Sequence, residues 1–219
     1  ISTKIGGDDI DKVRTTHGNL YQNITGQALP GGYPATESSG AGSTAIGVMT
    51  TASGHFSSAL GMTAEASGDG AVAIGPVAKS SGEAGVAIGI GSQASAKKTT
   101  AIGSVATATG ENAIAIGTGA QATGKQSISV GTGNVVSGEN SGAFGDLTTI
   151  SGTGSYSTGN NNTITTNNTF VVGSGVTKTL ENSVFLGNNA AYTAKGASTD
   201  GIGAVTESVT VGSTLTYGD

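Results

Sequence analysis

The side chains in this sequence that could do chemistry are few and scattered. Histidine occurs twice, at His17 and His55, and neither has further donors at a matching spacing. A metal site needs three or four converging ligands, so both read as surface histidines. Asp8, Asp9 and Asp11 follow Gly6-Gly7, but their spacing fits neither the EF-hand loop nor the nine-residue calcium repeat. Cysteine is absent, which removes disulfides, zinc-thiolate sites and thiol nucleophiles together. Serine is plentiful, yet none sits in a nucleophile elbow with a histidine and an acid to activate it. Gly89-Ile90-Gly91 lacks the context of a phosphate loop. No catalytic residue, metal or cofactor is expected, and the chain does not read as an enzyme.

Composition narrows the field further. Of 219 residues, 39 are Gly, 25 Ser and 32 Thr, while only 4% are aromatic and 11% charged. Such a chain cannot fill a wide core at normal packing density. The net charge of −5 is too small for charge-driven disorder. With Arg14 the only arginine, the electrostatic footprint of nucleic-acid binding is missing. No run of about 18 apolar residues offers a membrane-spanning helix. The sequence begins at Ile1 with no basic and apolar leader, and reads as a segment excised from something longer.

An internal period supplies the elements that must position whatever function there is. Gly47, Gly61, Gly75, Gly89, Gly103, Gly117, Gly131, Gly145, Gly159, Gly173 and Gly187 are spaced 14 apart without a slip. The residue before each is mostly Ile, Leu or Val, and the one before that is mostly Ala, as in Ala115-Ile116-Gly117. Six residues after each glycine stands a Ser or Thr in every copy, from Ser53 to Thr193. Two alternating stretches and two turns fit one unit, and glycines at this density disfavour helix. The expected fold is all-β, a parallel β-roll (β-solenoid) with 14-residue coils stacked at about 4.8 Å, on the order of 50 Å for eleven coils. The Ile column and its partner two residues back (Val72, Val86, Ile114, Ile128) are expected to fill a thin core. The Ala column is expected to form a smooth outer face that meets other copies of the chain. Asp69, Glu83, Lys97, Glu111, Lys125 and Glu139 occupy one position in consecutive coils, so a charge ladder is expected there.

The repeat, for example Glu111-Asn112-Ala113-Ile114-Ala115-Ile116-Gly117 followed by Ala120, Ala122, Thr123 and Gly124, resembles the YadA-like head repeat of trimeric autotransporter adhesins. The resemblance runs from about Gly42 to Gly196, roughly 70% of the chain. It implies a left-handed roll, assembly of three rolls as a homotrimer, and display at the bacterial cell surface. It also implies an outer-membrane anchor located C-terminal to the head and not within this segment. Residues 1–40 lack the repeat and read as an N-terminal capping segment. Residues 41–196 form the head of about eleven coils, and 197–219 a strand-like exit towards a neck or connector. Around Asn160-Asn161-Asn162 and on to Asn168 the Ala-Ile pattern gives way, and stacked Asn side chains are expected to fill the roll. Phe170 and Phe185 then enter the columns, which suggests widening.

For binding, the informative residues are those that break the pattern. Met49, His55, Phe56 and Met62 are large where other copies are small, and Phe56 stands where Asn112, Gln126 and Asn140 stand. Interfaces favour aromatics and Met, so these residues, with Tyr33, are the candidate partner contacts. Packing against the N-terminal cap is the competing explanation. Two function classes follow. One is an adhesin head binding a host matrix protein, a CEACAM-type receptor or another bacterium. The other is a non-adhesive β-solenoid such as an ice-binding protein, hinted at by Thr163-Ile164-Thr165 and Thr177-Lys178-Thr179.

Overall fold

The computed structural model describes residues 10–27 and 35–193, with side chains from residue 18 onward. Tyr33, Asp8, Asp9 and the 197–219 exit segment lie outside the described residues, as do the side chains of Asp11 and His17. From Glu37 onward the chain winds as a parallel β-solenoid. Each regular coil holds a three-residue strand such as Thr100–Ile102 and a two-residue strand such as Thr107–Ala108. The three-residue strands stack into an eleven-stranded parallel sheet and the two-residue strands into a ten-stranded one. Register is 14 throughout: Ala101 pairs with Ala87 on one side and Ala115 on the other.

The turn after each three-residue strand sets that register. Gly103 has φ +132°, a conformation that L side chains rarely adopt. A Cβ placed on it would also stand 2.4 Å from the carbonyl oxygen of Gly117 in the next coil. Either obstacle alone excludes a side chain, so the column must be glycine for coils to stack. The Gly103 N–H donates to Ile88 O at 2.8 Å, and Gly117 N–H repeats the bond to Ile102 O.

Two sheets joined by such tight turns face each other across a narrow gap, and the gap decides which residues point inward. The Ala column is fully buried, Ala73, Ala87, Ala101 and Ala115 among them, and it meets Ala66, Ala94, Ala108 and Ala122 from the other sheet. The expectation that Ile and Val fill the core while Ala faces outward is therefore reversed. In a three-residue strand the middle residue points one way and its two neighbours the other. Only a methyl fits between the sheets, so the middle Ala turns in and the flanking aliphatics turn out. A local compensation shows how tight the fit is. Where Ser80 replaces Ala in the inner column, position 85 is Gly, and a Cβ there would come within 2.7 Å of Ser80 Oγ.

Towards the C-terminal end the inner columns enlarge to Val136, Ile150, Ile164, Val171, Val176 and Phe185. Phe185 enters the core as the widening requires, but Phe170 points outward. The polar filling expected among the asparagines is carried by Asn134 and Asn162. The Asn162 amide donates to Gly173 O at 2.7 Å and its carbonyl accepts from Val176 N–H at 2.9 Å. Asn160, Asn161 and Asn168 lie on the surface instead.

One element is absent from the expectations. Residues Ile10–Thr25 form a helix, α1, closed by Gly26 at φ +71°, whose N–H donates to Gln22 O at 2.8 Å. Its last turns rest along the side of the roll near Thr63, Val77 and Gly91.

The turn column yields a paired prediction. Gly117→Ala meets both the φ penalty and the carbonyl of Gly131 at 2.1 Å, and should cost 3 kcal/mol or more, on the order of a severe backbone lesion. Gly119→Ala, at φ +65° with only an ordinary contact to the Gly133 Cα at 4.0 Å, should cost only about 1–2 kcal/mol. Chemical denaturation of the two variants side by side checks the ordering, and equal losses would contradict the stacking argument.

Candidate functional site

The solenoid presents four surfaces, two sheet faces and two turn edges, and each carries its own columns. The outer face of the three-residue sheet is apolar over most of its length. One column reads Ile46, Leu60, Ile74, Ile88, Ile102, Ile116, Val130 and Phe144, and a second reads Val72, Val86, Thr100, Ile114 and Ile128. Ile46 at 57% and Leu186 at 71% exposure mark its two ends. The outer face of the two-residue sheet is mixed: Glu65, Lys79, Gln93, Thr107, Gln121, Val135, Thr149 and Thr163. Threonine holds three successive coils of that column at its C-terminal end, Thr149, Thr163 and Thr177, a short run beside the mixed residues of the other coils.

The two edges differ in their turns. Both contain a column of residues in the left-handed region. On the edge beside the turn glycines that column includes Met49, Thr63, Val77, Val105 and Leu147. On the far edge it includes Phe56, Ala84, Lys98, Asn112, Gln126 and Asn140. The candidate constellation read from sequence is thereby split. Met49 and Met62 lie on the glycine edge, and His55 and Phe56 on the far edge. Met49 is only 8% exposed, so its side chain is covered, and Met62 is half-buried.

His55 and Phe56 are brought together and presented. Phe56 is 77% exposed at φ +56°. Its ring leans over Gly42, where a Cβ would come within 2.9 Å of Cδ1, while a Cβ on Gly70 would meet nothing within 4 Å. An aromatic knob thus stands clear on one flank. Beneath it the His55 N–H donates to Asp69 Oδ1 at 2.9 Å, and His55 Nδ1 accepts the Ala41 N–H at 3.2 Å. Sequence reasoning identified Phe56 by comparing columns but missed this backbone role of His55 and Asp69. The same device recurs where Thr153 N–H donates to Asn167 Oδ1 at 2.9 Å.

The match with known families follows this geometry. The family described as the YadA head domain repeat (2 copies) matches residues 38–64, 66–92, 80–106, 94–120, 108–134 and 122–147. These windows tile the Ala-cored coils, and their spacing is the 14-residue register of the two sheets. The chain carries a YadA-like head domain. No curated protein matches the chain. A YadA-like head belongs to trimeric autotransporter adhesins, a surface-exposed and non-catalytic role. Among the described residues, no group of three or more His, Cys, Asp or Glu could hold a metal ion, and no helix is long and apolar enough to cross a membrane.

The charge ladder of the head is present on the far edge. Lys97 Nζ lies 2.8 Å from Glu83 Oε2, and Lys125 Nζ 3.9 Å from Glu111 Oε2. Each lysine pairs with the glutamate of the preceding coil rather than equally with both neighbours. A third pair, Lys79 to Glu65 at 2.9 Å, sits on the mixed sheet face and was not anticipated. The Glu83 hydrogen bond and charge hold the Lys97 ammonium above the ordinary lysine value of 10.5, with Glu111 adding a smaller push. Because the folded-state value is raised, the stabilisation is complete through neutral pH and is lost only as pH rises through that value.

Two outcomes follow. Lys97→Glu stacks acid on acid from Glu83 to Glu111, and should lower the melting temperature at low salt, with the difference shrinking in about 1 M NaCl, where the screening length is about 3 Å. A difference independent of salt would contradict the ladder. Phe56→Asn places a residue tolerant of the left-handed region at that turn. It should leave stability unchanged or raise it by up to about 1 kcal/mol, measured by thermal unfolding. A clear loss would mean that Phe56 packs rather than projects.

Proposed function

We propose that this chain is the head of a homotrimeric adhesin, with three rolls joined through the apolar outer faces of their three-residue sheets, displayed on the bacterial outer surface. The observation that carries the reading is that face. Left bare, it would be a continuous stripe roughly 50 Å by 10 Å, about 500 Å², at the upper end of what monomers expose. These side chains are already part-covered by their own roll, so each contributes roughly half or less of the about 1.5–3 kcal/mol of a full burial. Repeated coil by coil, that gain outweighs the entropic cost of association. The residues that meet across the interface are thus the Ile and Val columns, not the Ala column.

With that face buried, the mixed sheet face and the turn edges remain to meet a partner. We assign the partner contact to His55 and Phe56 on the far edge, towards the N-terminal end of the roll. A projecting aromatic beside a polar turn suits an apolar pocket on a folded host protein, on a cell surface or in the extracellular matrix. Three copies on one head give avidity beyond the strength of a single contact.

The test is mass by light scattering, followed by binding. The wild-type chain should measure as a trimer, and Ile116→Lys should shift it towards monomer while the β-sheet circular dichroism persists. A monomeric wild type would overturn the assembly. In a screen against matrix and cell-surface proteins, Phe56→Ala should weaken binding about tenfold or more, as loss of a central aromatic contact does. Binding unchanged in Phe56→Ala would remove the site assignment and leave the assembly standing.

A further inference from the structure

Helix α1 meets the roll at a place whose shape is specific. On its last turns Leu20, Tyr21 and Ile24 are half-buried, while Asn19, Gln22 and Asn23 are exposed. That is one face at helical spacing turned to the roll and another turned to water. The surface it meets is the left-handed column of the glycine edge, where Val77 (φ +59°) and Val105 (φ +50°) stand one coil to either side of Gly91 (φ +65°). β-Branched residues are rarely found in that conformation, so two of them flanking a glycine form an uncommon arrangement. Valine, glycine, valine in one column makes a notch. Gly91 is buried, whereas Gly119 and Gly133 in the same column are half-exposed. Ile24 is what covers it. A Cβ on Gly91 would fall 2.7 Å from Ile24 Cγ2 and 3.3 Å from Val105 Cγ1. Beside this contact, Tyr21 and Gln27 border a crevice shared with Glu65, Lys79 and Gln93 on the mixed sheet face.

We propose that the Val77–Gly91–Val105 notch is a docking socket for an amphipathic helix, and that its occupant is α1 of the same chain, keyed by Ile24. A helix of 16 residues is marginal on its own in water, because nucleation is costly and packing supplies most helical stability. The socket therefore decides whether residues 10–25 are helical. In turn α1 closes the glycine edge at this level, so a partner approaching there meets the amide-rich face of Asn19, Gln22 and Asn23. The bare far edge with Phe56 stays open. Residues 19–25 are thus a strap on the side of the roll.

The absence of cysteine from the chain makes the test clean. In the full-length double variant Ile24→Cys with Gly91→Cys, mild oxidation should form a disulfide within one chain, which migrates at monomer mass on a non-reducing denaturing gel. The pair Asn19→Cys with Gly91→Cys, on the wrong face of the helix, should not. No bond above that control overturns the proposal. A bond between chains overturns the same-chain occupant and assigns the helix to a second copy. A second variant guards against a misfolded double mutant. Gly91→Val fills the notch with the residue that Val77 and Val105 show to be compatible with the column. It should speed hydrogen exchange of the amides of residues 20–25 by about tenfold or more, while the amides of Gly103 and Gly117 stay protected. Undiminished protection of α1 in that variant also overturns the proposal.

Discussion

Everything in this molecule depends on how closely one turn can approach the next. From Gly47 to Gly173 in the turn column the backbone lies so near the following coil that an added Cβ would stand 1.7–2.8 Å from a carbonyl oxygen. That contact permits one coil height and one residue count per coil. It is also why the 14-residue period shows no slip over eleven repeats. A thirteenth-residue or fifteenth-residue coil would carry a side chain into the turn and the next coil could not descend. The register is held by exclusion as much as by hydrogen bonds, although the bonds are many and repeat coil by coil.

Once coils are stacked this tightly, each position becomes a column, and each column has one task. Four columns point inward and hold methyl groups, larger apolar side chains, hydroxyls or amides, according to the local width of the roll. Where the roll carries Ser141, Ser155 and Thr169, hydroxyls form their own ladder: Ser155 N–H donates to Ser141 Oγ at 3.0 Å, and Thr169 N–H to Ser155 Oγ at 3.1 Å. Each hydroxyl also donates to a carbonyl, as Ser141 Oγ does to Gly152 O at 2.7 Å. These buried polar groups are tolerated because the geometry satisfies them coil after coil, whereas the buried Ser80 Oγ in the Ala-cored part has no partner. Low aromatic content follows from the gap itself, since in the Ala-cored coils no ring fits between the sheets.

The period, the solenoid, the turn glycines and the charged edge were all legible in the sequence, because each is a property of spacing. Which side of the strand faces inward was not. Alternation in Val72-Ala73-Ile74 states that two faces differ without stating which is inside, and the habit of placing large aliphatics in the core gave the wrong face. Only the width between sheets decides it, and width is set by turns on both edges together. The split of Met49 and Met62 from His55 and Phe56 was likewise hidden, because residues close in sequence lie on opposite edges of a two-sheet coil. Helix α1 escaped for a different reason. Its stretch contains Gly18 and several β-branched residues, Val13, Thr15, Thr16 and Ile24, and its stability comes from the roll rather than from local propensity.

The division of labour among columns also locates the capacity for recognition. The turn glycines are invariant along the rod, the inner columns are limited by volume, and the aliphatic face is committed by its hydrophobicity. What remains free is the edge, where the fold imposes a left-handed backbone without dictating the side chain. On the far edge that one conformation is occupied by Phe56, Gly70, Ala84, Lys98, Asn112 and Gln126 in consecutive coils. The conformational cost falls on every coil whatever residue stands there, so asparagine and glycine are the low-cost choices. A phenylalanine in such a place gains little burial from the roll to offset that cost, because apart from its contact over Gly42 most of its ring is in water. We assign that compensation to the proposed partner contact, since a scaffold of identical coils acquires specificity at the few positions that decline the low-cost residue.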